Sequence, residues 1–146
     1  MASVQSACIR FLLSRANLWN KPIAEIRESL KKVKPQGIPS GVSEEFAAIN
    51  GVGCKVMIPA EGLNNKAILY FHGGGFCLGI YHPNREFAAR MAKECGVKVF
   101  MPNYRLAPEN PFPAALEDAM AVYKGMLLEG YSASNIVLAG DSSGCG

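Results

Sequence analysis

A layered α/β fold with a mostly parallel sheet is the architecture this sequence predicts, and three observations predict it. Short apolar runs alternate with helical periodicity from Lys66 to the last residue. Two of those runs lead straight into glycine-rich turns, "HGGG" after Phe71 and "GDSSG" after Ala139. Two further strand-like runs precede them, separated near Gly51, and read as an antiparallel hairpin. A strand–helix–strand–helix–strand order requires parallel strands joined by right-handed crossovers, with helices covering the sheet's faces. Chemistry in such sheets collects at the C-terminal ends of the strands, where both glycine turns fall.

The elements follow in order. Residues 4–19 place Val4, Cys8, Phe11, Leu12, Leu18 and Trp19 at close to helical spacing. A second helix is expected over 22–33. Pro22 suits its first turn, and Ile23, Ile26, Leu30 and Val33 line one face. Glu28 can pair with Lys31 or Lys32, and Pro35 ends it. Lys34 to Gly41 reads as a linker. The runs "EEFAAIN" and "VGCKVMIP" form the hairpin, and Ala67 to Phe71 a buried strand. "PNREFAARMAKECG" is a helix with Phe87, Ala88, Met91, Ala92 and Cys95 inward and Gly96 as its stop. "VKVFMPNY" is another buried strand, "FPAALEDAMAVYKGMLLEG" a longer helix despite Gly125, and "NIVLAGD" the strand that feeds the serine turn.

Composition bounds the function. The 146 residues make at most one domain, and 49% hydrophobic content is ordinary for a globular chain. No run is apolar for long enough to span a bilayer, and Arg10 breaks the N-terminal apolar stretch that could resemble a secretory signal. A soluble cytoplasmic protein without stable membrane insertion is the expectation. The net charge of +3 divides into +5 over residues 1–34 and −2 over the rest. A basic amphipathic N-terminus could touch acidic lipid or nucleic acid, but a solvated helix face explains it as well. No interleaving of basic and aromatic residues supports a nucleic-acid partner. Five cysteines without a C-x-x-C pair fit reduced thiols, and two histidines do not make a zinc site, so no metal or cofactor is expected.

The candidate chemistry sits in the two glycine turns. Gly140-Asp141-Ser142-Ser143-Gly144 matches G-x-S-x-G, a strand-to-helix turn that aims a serine hydroxyl outward. Glycines two residues to either side satisfy its lack of space. The alternative is a plain glycine turn in which Ser142 merely caps a helix. In "HGGGF", His72 to Phe76, three glycines let backbone N–H groups face a pocket, as acyl transfer requires around a tetrahedral oxyanion. Gly74 and Gly75 are the assigned donors, joined by the Ser143 amide. The alternative is a connecting or phosphate-binding loop, though no lysine follows as a phosphate loop would need.

Taken together, "HGGGF", "NYRLAPENPFPAALED" and "GDSSG" resemble the signature blocks of the hormone-sensitive-lipase-like esterases of the α/β-hydrolase superfamily. The resemblance is strong over residues 66–146 and weaker over the N-terminus, which is similar to that family's helical cap. It implies that residues 1–40 are a cap segment and linker, and that 41–146 are the N-terminal portion of the hydrolase domain. It implies Ser142 as the acylated nucleophile and the glycine triplet as the oxyanion hole. His72, Gly73, Gly140, Gly144 and Tyr104 are implied as structural support, with His72 holding the oxyanion loop by hydrogen bonds. Asn103 and Cys145 depart from the family pattern, which more often has Asp and Gly there.

The family's order is serine, acid, histidine, and neither acid nor histidine follows Ser142 here. His72 and His82 are not expected to serve as the base, Asp141 points away from its neighbour in such a turn, and Cys145 is at most an off-pathway nucleophile. The expected reading is therefore an ester hydrolase acting on small-molecule esters, represented by a fragment or truncated product with little activity alone. The other reading is a non-catalytic ligand-binding or degenerate member of the fold. By analogy with the family, the strand carrying Ser142 would lose its outer neighbours, leaving an apolar edge open to a second copy or to aggregation.

Overall fold

The computed structural model describes residues 21–35 and 37–146, so the helix expected over 4–19 lies outside the described residues. The chain divides into two compact units, Met1–Lys32 and Val33–Gly146. In the first, helix α1 (Ile23–Lys31) starts behind Pro22. Ile23, Ile26 and Leu30 are half-buried, as the spacing predicts, whereas Val33 lies past the helix and is exposed. Lys31 Nζ reaches Glu28 Oε1 at 2.6 Å, one turn back, in a solvent-exposed pair.

The second unit is a five-stranded sheet: β1 (Val42–Ile49), β2 (Val52–Pro59), β3 (Leu63–Phe71), β4 (Val97–Pro102) and β5 (Ile136–Gly140). Their order across the sheet is β1-β2-β4-β3-β5. The hairpin runs in unbroken register from Val42 opposite Pro59 to Ile49 opposite Val52. Asn50 and Gly51, at φ 46° and 84°, close it with a two-residue turn whose left-handed backbone matches the twist of the strands. β2 meets β4 antiparallel, while β4–β3 and β3–β5 are parallel. β3 begins four residues before the expected Ala67, and its pairing with β4 shifts between Leu63 and Ala67. Asn64, Asn65 and Lys66 carry no apolar signal, so the early part of the strand was not legible.

Helix α2 (His82–Cys95) links β3 to β4, and α3 (Ala114–Leu128) leads from β4 toward β5. Alternation along the strands sends side chains to two cores. On one face Cys54, Val56, Leu69 and Phe100 pack with Val122 and Met126 of α3. On the other Met57, Ile68, Tyr70, Val99 and Met101 pack with Ala88, Ala89 and Ala92 of α2. The expected inward face of α2 needs correction at two positions: Phe87 is 51% exposed and Cys95 is exposed. The helix meets the sheet through alanines, so its axis lies close and larger neighbours are pushed to the flanks. The Phe87 ring still touches Tyr70 edge-on, with centroids 5.6 Å apart. Gly96 ends α2 in the left-handed conformation at φ 61°, as expected of a stop residue.

β5 is the outermost strand on its side, with Val137 and Leu138 each 61% exposed. The sheet order puts its C-terminal end beside the C-terminal end of β3, Gly140 pairing with Phe71. That adjacency brings the two glycine turns together.

Candidate active site at the ends of β3 and β5

At the end of β5 the chain reverses. Ser142 takes φ 49°, a left-handed conformation that a non-glycine residue adopts at a cost of roughly 1–2 kcal/mol. Residues Ser142–Cys145 then form one 3₁₀ turn, with Gly144 N–H donating to Asp141 O at 2.8 Å. The turn is tight enough that a Cβ on Gly140 would overlap the Gly144 carbonyl, and one on Gly144 would overlap the Phe71 carbonyl. Both glycines are sterically required where the motif has them. Ser142 is exposed, and among the described residues no side chain bonds its hydroxyl.

The loop after β3 lies against this turn. Gly73 N–H donates to Asp141 Oδ1 at 2.8 Å, and Gly75 N–H donates to Ser143 Oγ at 2.9 Å. Gly74 and Gly75 have φ 121° and 63°, and a Cβ on Gly74 would lie 2.7 Å from Leu78 Cβ. The structure thus brings Gly73, Gly74, Gly75, Ser142 and Ser143 into one cluster. An amide that now binds a neutral hydroxyl oxygen at Ser143 is one that can bind a developing alkoxide in its place.

His72 lies under the loop with no exposed surface. Its Nδ1 is 2.8 Å from Gly73 O, and a carbonyl only accepts, so Nδ1 carries the proton. Its Nε2 is buried without a hydrogen-bond partner among the described residues. Burial holds the imidazole below its ordinary pKa, against the opposing pull of the Gly73 carbonyl and Asp141. A neutral ring with no open face cannot exchange protons with a substrate at Ser142. Tyr104 stacks on it at 4.3 Å between ring centroids and donates its hydroxyl to the His72 carbonyl. His82 lies elsewhere, at the start of α2, with Nδ1 3.2 Å from Arg85 Nη1. Neither histidine reaches the serine.

The segment from Asn103 to Pro113 buttresses the loop. Ala107 N–H donates to Phe76 O at 2.9 Å. Arg105 anchors the segment to α3: its backbone N–H and Nε reach Asp118 Oδ2 at 2.8 and 3.0 Å, and Nη2 reaches Oδ1 at 2.8 Å. Burial raises the Asp118 pKa, but the Arg105 bonds outweigh it and hold the carboxyl below its ordinary value. A cavity of about 380 Å³ opens between α3 and the ends of β3 and β5, walled by Phe71, Tyr104, Leu116, Met120, Leu138 and Ser143. Ser142 does not line it, so it adjoins the serine turn without enclosing the hydroxyl.

Sequence reasoning did not single out Tyr70. Its hydroxyl donates to Asp141 Oδ1 at 2.6 Å, across 71 residues of sequence. A tyrosine two residues before a glycine turn is an ordinary strand residue until the sheet order is known, so no sequence signal pointed to it.

A family model described as alpha/beta hydrolase fold matches residues 68–146, more than half of the chain. The chain belongs to the α/β-hydrolase fold family. Within it, an acetyl-hydrolase from Streptomyces hygroscopicus is 40% identical over 110 residues, covering 75% of this chain and 36% of that protein. An esterase from Acinetobacter venetianus is 29% identical over 132 residues, covering 90% of this chain and 42% of its own length. Among solved structures, an esterase of the bacterial hormone-sensitive lipase family superposes with TM-score 0.79 at 32% identity, covering 99% of this chain and 50% of that one. The resemblance stated from the three motifs is borne out, as is the α/β-hydrolase architecture. The chain spans between a third and a half of the length of these relatives.

Proposed function

We propose that the whole protein hydrolyses carboxylic esters through an acyl-enzyme on Ser142. One observation carries this reading. Ser142 stands at φ 49° at the end of β5, and the amide of Gly75, on the loop after the neighbouring β3, already binds an oxygen of the adjacent residue. Nucleophile and oxyanion donors are therefore within one residue of each other. The Ser142 oxygen attacks the ester carbonyl and its proton passes to a base. The carbonyl oxygen, now an alkoxide, is held by the Gly74, Gly75 and Ser143 amides. The C–O bond breaks and the alcohol leaves with the proton, and water then releases the acid by the same route. Each oxyanion donor contributes about 3 kcal/mol in enzymes where one has been removed. The base comes from outside the described residues, since His72 is sealed under the loop and His82 is engaged at α2. A relative named acetyl-hydrolase supports an acetyl or similarly short acyl group in the ester.

A fluorophosphonate probe with p-nitrophenyl acetate turnover tests the reading. Phosphonylation is expected at Ser142 in the protein at its full natural length, with both label and turnover lost in Ser142→Ala. Turnover that survives Ser142→Ala would exclude the serine route.

A further inference from the structure

The β3–α2 loop supplies the oxyanion amides, and three consecutive glycines make it conformationally free. Catalytic donors must nevertheless be fixed before the transition state forms. One carboxylate meets the start of this loop and the strand that feeds it. At the loop's start, Gly73 N–H donates to Asp141 Oδ1 at 2.8 Å. On β3, just before the loop, the Tyr70 hydroxyl faces the same carboxylate. That hydroxyl donates its proton to the same Asp141 Oδ1 at 2.6 Å. The fit is close, because a Cβ on Gly73 would overlap the Asp141 carboxylate. Asp141 is also the residue before Ser142, and its backbone N–H donates to Phe71 O at 3.3 Å, tying β5 to β3 at this level.

We propose that Asp141, itself held by the Tyr70 hydroxyl, clasps the start of the β3–α2 loop through Gly73 and so is a positioning residue for the oxyanion amides. This rests on the serine-hydrolase reading for its catalytic consequence, though not for the clasp itself. The carboxylate touches neither ester nor leaving group. It sets the separation between the donors on the loop and the nucleophile that follows it in sequence. Because the donors act on an oxyanion that exists only beyond the ground state, loosening the clasp lowers kcat and spares KM.

The test compares Tyr70→Phe, Asp141→Asn and Asp141→Ala in the protein at its full natural length. Hydrolysis of p-nitrophenyl acetate is read alongside amide hydrogen exchange over residues 73–81. Asp141→Ala is expected to lower kcat on the order of 10- to 100-fold, as for lost hydrogen bonds to a charged group, with KM little changed. Asp141→Asn recovers most of that loss, since its amide oxygen accepts both bonds. Tyr70→Phe falls between parent and Asp141→Ala and speeds exchange at Gly73, because the carboxylate that holds this amide loses its other anchor. If Asp141→Ala fails to fold, Tyr70→Phe carries the test, because it deletes one hydroxyl and leaves the ring in the core. Unchanged exchange and kcat in a folded Tyr70→Phe, or equal losses in Asp141→Asn and Asp141→Ala, would overturn the clasp. Turnover that survives Ser142→Ala would overturn the serine route, and the exchange measurement would still judge the clasp.

Discussion

Gly125 sits in the last turn of α3, where alanine is ordinarily better by up to about 1 kcal/mol. Here the sign reverses. A Cβ at Gly125 would lie 2.6 Å from Ile49 Cγ2, 2.8 Å from Asn50 Cβ and 3.3 Å from Asn50 N. None of these can yield cheaply. Ile49 is 1% exposed and β-branched, so its rotamer is stiff, and Asn50 is locked at φ 46° in the hairpin turn. Relief requires α3 to lift from the β1–β2 turn. That movement strains the packing of Val122 and Met126, and it stretches the bond from Asn50 Nδ2 to Ala121 O, now 3.1 Å. Overpacking of this kind costs about 1–3 kcal/mol, and the lost neutral hydrogen bond about 1 kcal/mol. After the helix-propensity gain is subtracted, Gly125→Ala is expected to destabilise by about 1–3 kcal/mol, a fall in Tm of roughly 5–15 °C for a unit of this size. Thermal and urea denaturation beside the parent decide it. A variant that melts at or above the parent temperature would refute the claim that helix and hairpin touch at this glycine.

Gly144→Ala drives a methyl into the Phe71 and His72 carbonyls, which are backbone and cannot swing away. It should abolish fluorophosphonate labelling of Ser142, while Gly75→Ala, with open space at its Cβ, should retain folding at a backbone cost of about 1–2 kcal/mol; equal labelling in the two variants would contradict this. Stability should also depend on pH through His72. Its folded pKa is depressed by burial, so the unfolded chain binds the proton more readily, and stability is complete above the ordinary histidine value of about 6.5 and declines as pH falls through it. Melting temperatures that stay flat from pH 8 to 5.5 would show that the ring is not sealed.

Much of the fold was legible because each signal was local. The Asn50–Gly51 turn, the stop at Gly96 and the apolar runs of β4 and β5 are properties of a few adjacent residues, and the structure has them where the pattern put them. Local patterning misled where packing distance decided the outcome. Phe87 and Cys95 share the helical phase of Ala88 and Ala92, but the close approach allowed by the alanines leaves both exposed. The candidate site was legible as two motifs at the ends of two strands, without any sign of what holds one against the other. Tyr70 and Asp141 are 71 positions apart, and neither residue type announces the pairing.

The sequence by itself determined the elements, the parallel crossovers and the two glycine turns, because hydrophobic period and glycine sterics act over a handful of residues. Tertiary structure alone decided that β5 lies beside β3, that His72 is shut away from Ser142, and that one carboxylate spans the loop and the serine turn. These are contacts between distant segments, and their geometry exists only once the sheet has fixed which strand ends are neighbours.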